Sequence, residues 1–299
     1  MTVTMDKPAL AAALARLERT PDADDIRALL DESYRAPRGH VVGVTGPPGV
    51  GKSTLLSALI AAWRARGETV GVIAVDPSSR RTGGALLGDR ARLATDPLDD
   101  GVFVRSMAAR DRLGGLAELT LGAMVIMRAL FDVVLVETVG VGQSETDVAG
   151  IADTVVFCVQ PGSGDSLQFM KAGIVEIPHL VAVTKADLGT MAERAASDVA
   201  GALSLAEPDS AAWQPRTLLV SSRARTGVAE LVAAIDAHRR HLAEGGRRTL
   251  ARHAQAELWL VEAIRDRFGR HGLARAGDLS LPPGTSPFAR IAELSRRLG

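Results

Sequence analysis

The apolar positions of the chain follow three successive patterns. Over residues 8–35 they recur every three to four residues, the spacing of one helix face, and Pro21 divides this stretch into two predicted helices. Over residues 40–220 they form short uninterrupted runs instead. Over residues 251–268 the helical spacing returns, and a last short helix is predicted after the Gly- and Pro-rich stretch 277–287.

The short apolar runs are predicted strands. Runs that are apolar throughout, without alternation, are expected of strands buried on both faces of a parallel sheet. Helical stretches lie between several of them, at residues 52–66, 116–130 and 192–205. This alternation predicts an α/β domain with a doubly wound, mainly parallel sheet. The strands are expected at residues 41–45, 70–75, 102–105, 133–136, 154–159, 180–184 and 218–220.

These changes of pattern divide the chain into three predicted parts. A helical N-terminal extension is expected over residues 1–37, the α/β domain over residues 38–237 and a helical C-terminal arm over residues 238–299. The arm is too short to hold an independent core, so we expect it to pack on the sheet domain or on a second subunit. We favour a role in dimerisation.

Composition limits the partners and the location. Of 299 residues, 46% are hydrophobic, which is enough for a substantial core. The 35 basic and 35 acidic residues balance, so neither nucleic acid nor a membrane is expected as a partner. Cys158 is the single cysteine, which excludes internal disulfides and a multi-cysteine metal site. The chain lacks a signal pattern and any apolar stretch near the roughly 20 residues of a membrane helix, so a cytoplasmic protein is expected.

The strongest chemical signal follows the first predicted strand. A glycine-rich loop there matches the pattern G-x-x-x-x-G-K-[ST], and a helix-forming run follows it, as this phosphate-binding motif requires. Its glycines allow consecutive backbone N–H groups to face phosphate oxygens, and the start of the helix adds partial positive charge. Lys52 is expected to bind the β- and γ-phosphates and Ser53 to ligate Mg²⁺. The loop comprises Gly46, Pro47, Pro48, Gly49, Val50, Gly51, Lys52, Ser53 and Thr54.

Acidic residues at the ends of predicted strands are candidates for the Mg²⁺ site. Open α/β sheets bind ligands at the carboxyl ends of their strands, and Asp76 and Glu137 each end an apolar run. Glu137 opens a run that matches a D-x-x-G switch with Glu in place of Asp, in which the N–H of Gly140 would sense the γ-phosphate. Asp89 is a third candidate. For each of these carboxylates, a helix cap or a solvated loop position is the alternative.

The residues after this switch predict slow hydrolysis. Small GTPases usually carry a glutamine directly after the switch glycine, where it orients the attacking water. Here that position is Val141, and Gln143 comes two residues later. We expect slow intrinsic hydrolysis that a partner accelerates by ordering this loop.

Two later motifs favour guanine over adenine. The run T-K-A-D at residues 184–187 resembles the base-reading motif N-K-x-D. The Asp187 carboxylate could accept the N1–H and the exocyclic amine of guanine, and Lys185 could lay its stem along the base. Thr184 replaces the usual Asn, and its hydroxyl could still bind the phosphate loop. A loop expected to contact guanine O6 follows the last strand and comprises Ser221, Ser222 and Arg223.

Together these motifs resemble those of the MeaB/ArgK family of P-loop GTPases, the methylmalonyl-CoA mutase-associated G-proteins. The glutamate-led switch followed by V-G-V-G-Q-S-E is the most specific of them, and the likeness extends over almost the whole chain. The segments that carry it are 46–54, 75–79, 88–90, 137–145, 160–168, 171–176 and 184–187.

The resemblance implies a SIMIBI-class GTPase that binds GTP or GDP with Mg²⁺, and whose C-terminal arm forms a homodimer. Family members bind adenosylcobalamin-dependent acyl-CoA mutases of the methylmalonyl-CoA mutase type, gate cofactor loading and protect the mutase from inactivation. By match with the family, Lys52, Glu137, Asp89 and Gln143 would serve hydrolysis. The implied metal shell comprises Ser53, Asp76, Asp89 and Glu137.

Two other functions remain open at this point. One is an ATPase or kinase associated with amino-acid (arginine or ornithine) transport, a function attached to this family under the ArgK name. The other is a scaffold that binds nucleotide but barely hydrolyses it.

Histidines offer no further metal site, because His238 and His241 lie three residues apart on a predicted helix without a third ligand. We interpret both as a solvated helix face.

Overall fold

The computed structural model describes residues 4–77, 93, 95–96, 98–109, 118–138, 147–162, 177–204 and 213–299. Its centre is a sheet of seven strands in the order β3-β2-β4-β1-β5-β6-β7, and each neighbouring pair is parallel. This confirms the predicted doubly wound parallel sheet. The strands are β1 (His40–Thr45), β2 (Val70–Pro77), β3 (Val102–Ala109), β4 (Val133–Glu137), β5 (Thr154–Val159), β6 (Leu180–Val183) and β7 (Arg216–Leu219).

Helices precede, connect and follow these strands. Short 3₁₀ turns lie at Val148–Gly150, Ala186–Leu188 and Glu244–Gly246. The α-helices are α1 (Lys7–Arg19), α2 (Asp24–Arg35), α3 (Lys52–Ala65), α4 (Glu118–Leu130), α5 (Thr190–Leu203), α6 (Val228–Ala243), α7 (Arg247–Ala276) and α8 (Pro287–Leu298).

The topology places β1 at the point where the strand order of the sheet reverses. The chain crosses from β1 over β4 to β2, and later returns to the other side of β1 to form β5. Connections therefore leave β1 in both directions, and such a switch point opens a crevice at the carboxyl ends of the strands. Residues Val41, Val42 and Val44 are fully buried, which fits a central strand covered on both faces.

Each face of the sheet packs against a different set of helices. Val41 and Val134 belong to a core cluster with α1, α2 and α4, whereas Val42 and Leu135 point to the opposite face and pack with α3 and α6. The apolar side chains of α1 and α2 therefore pack on α4, which in turn covers the sheet. Their buried members are Leu10, Leu14, Leu17, Ile26 and Leu30.

The C-terminal helices also pack on the sheet domain. Ala256 and Trp259 of α7 and Phe288 of α8 are buried in the same cluster as β1. Helix α7 is broken at Gly269, where φ is 66° and ψ is −166°.

Helix α6 runs from residue 228 to 243, so the expected division between residues 237 and 238 falls inside a helix. In the described part of the chain, each helix is too short or too polar to cross a bilayer.

A buried polar cluster lies at the amino-terminal edge of the sheet. Arg252 donates from two nitrogens to the Asp153 carboxylate at 2.7 and 2.6 Å. The hydroxyl of Thr154 lies 2.7 Å from Nε2 of His40 and 2.7 Å from Nδ1 of His238. His238 is 1% exposed, so its assignment to a solvated helix face is wrong.

Neighbours from distant parts of the chain cover His238. The His179 ring lies 4.2 Å from it at an interplanar angle of 32°, and the Trp213 ring lies at 4.7 Å, centroid to centroid. Burial lowers the pKa of His40 and His179 to about 4 and that of His238 to about 2. Burial alone would raise the pKa of Asp153, but the Arg252 hydrogen bonds and charge hold it below its ordinary value.

We predict that these histidines make the protein sensitive to acid. Their folded-state pKa values lie below the unfolded value near 6.5, so their stabilisation is complete above that pH and is lost as pH falls toward 4. Each histidine should lower the free energy of unfolding by about 1 to 1.5 kcal/mol per pH unit in this window. Urea denaturation between pH 8 and pH 5 measures the slope. The variant His238→Asn should show a shallower slope, and an unchanged slope would contradict the assignment.

Candidate functional site

The glycine-rich loop lies between the carboxyl end of β1 and the start of α3. Gly46 has φ at 134°, and a Cβ atom there would lie 2.3 Å from the carbonyl oxygen of Cys158 in β5. A side chain at this position is therefore excluded by both backbone conformation and space. Gly51 caps the helix in a left-handed conformation with φ at 102°. The first-turn N–H groups of α3 consequently face the loop, which is the arrangement that binds anions.

Lys52 places a positive charge inside this loop. Its Nζ atom donates to the carbonyl oxygens of Gly46 at 2.6 Å and Pro47 at 3.1 Å, and the residue is 7% exposed. An ammonium group held at the start of a helix adds to the partial charge of the helix N-terminus. The loop thus concentrates positive potential where a phosphate chain would lie.

A hydroxyl and a carboxylate meet at the edge of the loop. Ser53 Oγ donates to Glu137 Oε1 at 2.9 Å, and Glu137 is largely buried at the end of β4. Thr138 follows and donates from Oγ1 to Thr45 Oγ1 at 2.9 Å, which fixes the end of β4 against β1. Oxygen donors of this kind, one neutral and one anionic, suit a hard cation such as Mg²⁺.

The other expected metal and switch residues are described less completely. Ala74 is the register partner of Glu137, so the backbone of Asp76 lies two residues further along the neighbouring strand β2. This brings Asp76 to the same edge of the sheet. The remaining residues expected in the site, Asp89, Gly140 and Gln143, lie outside the described residues.

Thr184 binds the glycine-rich loop directly. Its Oγ1 donates to the carbonyl oxygen of Val50 at 2.7 Å and lies 3.1 Å from that of Val159. Thr184 is 5% exposed and follows β6, while Val159 ends β5. A threonine hydroxyl carries one hydrogen, so this side chain holds the loop and has no further donor for a base.

Lys185 also reaches the loop. It adopts a left-handed backbone with φ at 54°, and its Nζ donates to Gly49 O at 3.2 Å and Gln160 Oε1 at 2.5 Å. Gln160 was missed as a candidate for the site. Its place directly after β5, at the carboxyl edge of the sheet, is the signal that could have identified it.

The Asp187 carboxylate is exposed and held by Ser221. Ser221 Oγ donates to Asp187 Oδ1 at 2.5 Å and accepts the N–H of Ala224 at 3.1 Å. This Ser221 hydrogen bond, with smaller contributions that include the charge of Arg223, lowers the pKa of Asp187. Ser221 also pairs through its backbone with Thr226, which closes the loop containing Ser222 and Arg223. An ionised carboxylate and a compact loop therefore lie together beyond β6 and β7.

The fold and this site define the class of protein. A P-loop nucleotide hydrolase has a parallel sheet with a lysine-containing glycine-rich loop at its switch point, and this chain has both, with a Ser–Glu pair beside the loop. The chain belongs to the family described as methylmalonyl Co-A mutase-associated GTPase MeaB, whose model matches residues 10–276. It is therefore a GTPase that binds guanine nucleotides.

Similar proteins support this assignment. A protein of Pyrococcus horikoshii named as a GTPase is 42% identical over 256 residues, which cover 84% of this chain and 80% of that protein. The mouse methylmalonic aciduria type A homolog, a mitochondrial protein, is 35% identical over 233 residues, covering 77% of this chain and 56% of its own length. A crystal structure of an LAO/AO transport system kinase matches over 99% of both chains with a TM-score of 0.64 and 27% identity.

We predict that the Thr184 hydroxyl supports both stability and nucleotide binding. Thr184→Val should lower the free energy of unfolding by about 1 to 3 kcal/mol, because the buried carbonyl of Val50 loses its donor. It should also weaken GDP binding, since the loop is then held less firmly. Thermal unfolding and calorimetric titration measure the two effects. Thr184→Ser keeps the hydroxyl and serves as the control, and equal behaviour of both variants would contradict this role.

Proposed function

We propose that the protein binds and hydrolyses GTP with Mg²⁺ at the loop formed by residues 46–54. The observation that carries the proposal is the Ser53–Glu137 pair, 2.9 Å apart, beside the buried Lys52 ammonium. Mg²⁺ bound to a nucleotide supplies charge that neutralises the phosphates during transfer. Ser53 and Glu137 would hold the metal, with Asp76 at the same edge of the sheet and Asp89 as a further ligand.

The residues of the loop perform the electrostatic part of hydrolysis in this proposal. The N–H groups of residues 49–54 and the Lys52 ammonium bind the phosphate oxygens and stabilise negative charge as it develops. Gly140 senses the γ-phosphate and Gln143 orients water. Because Val141 occupies the usual glutamine position, intrinsic turnover is slow and rises when a partner binds.

Base selection is assigned to the loops after β6 and β7. Asp187 is kept ionised by Ser221 and accepts from the N1–H and amine of guanine, groups that adenine does not offer in this pattern. Lys185 covers the base with its stem, and the backbone of residues 221–223 binds the guanine oxygen. Thr184 contributes by holding the loop, so guanine selection depends mainly on Asp187.

The proposed cellular role is to gate adenosylcobalamin loading and to protect a B12-dependent acyl-CoA mutase of the methylmalonyl-CoA mutase type. Two findings support it: the description of the family and the name of the mouse relative. We also propose a homodimer formed through the C-terminal arm. The solvent-exposed side chains of Leu250 and Leu258 on α7 support this, since they are 69% and 58% exposed. Analytical ultracentrifugation that detects only the monomer would contradict the proposed homodimer.

A second candidate function comes from the matched crystal structure. That protein is named as a kinase of a transport system. An ATP-dependent kinase linked to amino-acid transport would bind adenine nucleotides at the same loop. The nucleotide preference of the purified protein therefore separates the two functions, and a scaffold function predicts binding without turnover.

We predict that GTP and GDP, but not ATP, raise the apparent Tm of the protein through mass action. Lys52→Ala should weaken guanine-nucleotide affinity by about ten- to a hundredfold, the loss expected for a charge-assisted hydrogen bond to phosphate. Thermal-shift titration measures both effects. The unfolding of the variant without nucleotide is the control for folding. Equal stabilisation by ATP would defeat the guanine assignment.

We predict a nucleotide-dependent complex with a cobalamin-dependent mutase. Purified methylmalonyl-CoA mutase should be retained by the immobilised protein, with different affinity in GDP and in a non-hydrolysable GTP analogue, and phosphate release should rise when the mutase is added. A CoA enzyme without cobalamin is the matched control. If no acyl-CoA mutase of this class binds in either nucleotide state, the chaperone role fails while the GTPase assignment stands.

A further inference from the structure

A short turn connects the switch motif to the centre of the sheet. Glu137 and Thr138 open the switch at the end of β4, and residues 139–146 join them to Asp147. The 3₁₀ turn Val148–Gly150 follows, and residues 151–153 then lead into β5. We refer to residues 147–152 as the connecting turn.

Side chains of α7 bind the backbone of the connecting turn. Gln255 donates from Nε2 to the carbonyl oxygens of Ala149 at 3.0 Å and Ala152 at 2.9 Å. Trp259 donates from its indole nitrogen to the carbonyl oxygen of Gly150 at 2.7 Å. Three carbonyl groups of one turn are thus held by one helix. The hydrogen bonds fix the orientation of these peptide groups relative to α7.

The connecting turn in turn packs on the strand that leads to the phosphate loop. A Cβ atom at Gly43 of β1 would lie 2.3 Å from Cγ2 of Val148 and 3.0 Å from Cβ of Ala152. Val148 is fully buried against this glycine, with no room for displacement toward it. Gly43 lies three residues before Gly46, so the contact connects α7 with the start of the glycine-rich loop.

Electrostatics connects the same two elements. Burial, together with the nearby charge of Glu262 on α7, raises the pKa of Asp147 to about 6. A carboxylate of α7 therefore acts on the first residue of the connecting turn.

We propose that Gln255 and Trp259 are positioning residues for GTP hydrolysis, acting from α7 through the connecting turn on β1 and on the glycine-rich loop that follows β1. This inference rests on the proposed GTPase function. The two side chains hold the carbonyl groups of the connecting turn, and their role is to fix that turn against Gly43 of β1. The face of α7 that carries these two side chains is then a part of the hydrolytic machinery, whereas the exposed face of the helix is not.

Kinetics of three full-length variants test the proposal. Trp259→Phe keeps the ring packing but removes the indole N–H, and Gln255→Met keeps the side-chain length but removes both donated hydrogen bonds. Each should lower kcat for GTP by about threefold to tenfold, the order of effect expected when neutral hydrogen bonds are lost, with the Kd for GDP changed less than about twofold. Arg265→Ala, an exposed position on the same helix, should leave both values unchanged.

Tryptophan emission gives a second, independent measurement. If the nucleotide state reaches the connecting turn, emission should differ between the GDP complex and that of a non-hydrolysable GTP analogue. This difference should shrink in Trp259→Phe to what Trp63 and Trp213 contribute, although calorimetry shows both nucleotides bound.

Three outcomes decide the matter. Wild-type turnover in both variants would overturn the proposal, as would a fall in kcat matched by an equal loss of GDP affinity, which a merely structural role predicts. An emission difference of undiminished size in Trp259→Phe would also overturn it. Failure of the wild-type protein to bind guanine nucleotides would instead contradict the proposed function.

Discussion

The geometry of the site depends on a buried ammonium group. Taking a cation out of water costs several kcal/mol unless oxygen atoms surround it, and Lys52 is 7% exposed. The carbonyl groups of Gly46 and Pro47 turn toward its Nζ atom and provide such oxygens. This inward turn requires the left-handed backbone of Gly46, pressed against Cys158 of the adjacent strand. The position of one charge therefore dictates the path of the chain between β1 and α3.

Neighbouring strands hold the loop in that path. The carboxylate of Glu137 binds it from β4, and the hydroxyl of Thr184 binds it from the end of β6. Because these contacts come from separate strands of one sheet, the loop is fixed before a ligand arrives. Preorganisation of this kind reduces the reorganisation needed when charge develops on a phosphate. The rigid sheet is thus the part of the molecule that gives the loop its electrostatic effect.

Much of this arrangement follows from local sequence. Strand β5 has the predicted bounds, since a buried central strand is marked by an unbroken apolar run. Strand β3 extends to Ala109 because β2 continues to pair with it beyond the apolar residues, and composition does not reveal such pairing. The edge strand β7 begins earlier than predicted and has exposed residues at both ends, so its pattern is weak.

Contacts between residues far apart in the chain could not be predicted from the sequence. Burial of His238 depends on His179 and Trp213, which approach it from separate segments. The phosphate loop could be recognised because its glycines and lysine are contiguous in the chain. In contrast, the bond between Trp259 and Gly150 joins residues far apart in sequence, and no spacing rule indicates it. A motif can be recognised in the sequence when the residues that form it are neighbours in the chain.

The buried thiol of Cys158 has a practical consequence. It is the single cysteine of the chain, it is fully buried in β5, and burial raises its pKa to about 12. An accessible thiolate is the nucleophile that attacks a maleimide, so this buried, protonated thiol is inert toward maleimide dyes in the folded protein. A cysteine introduced on the surface would consequently accept one fluorophore at a unique place, and the natural residue could stay.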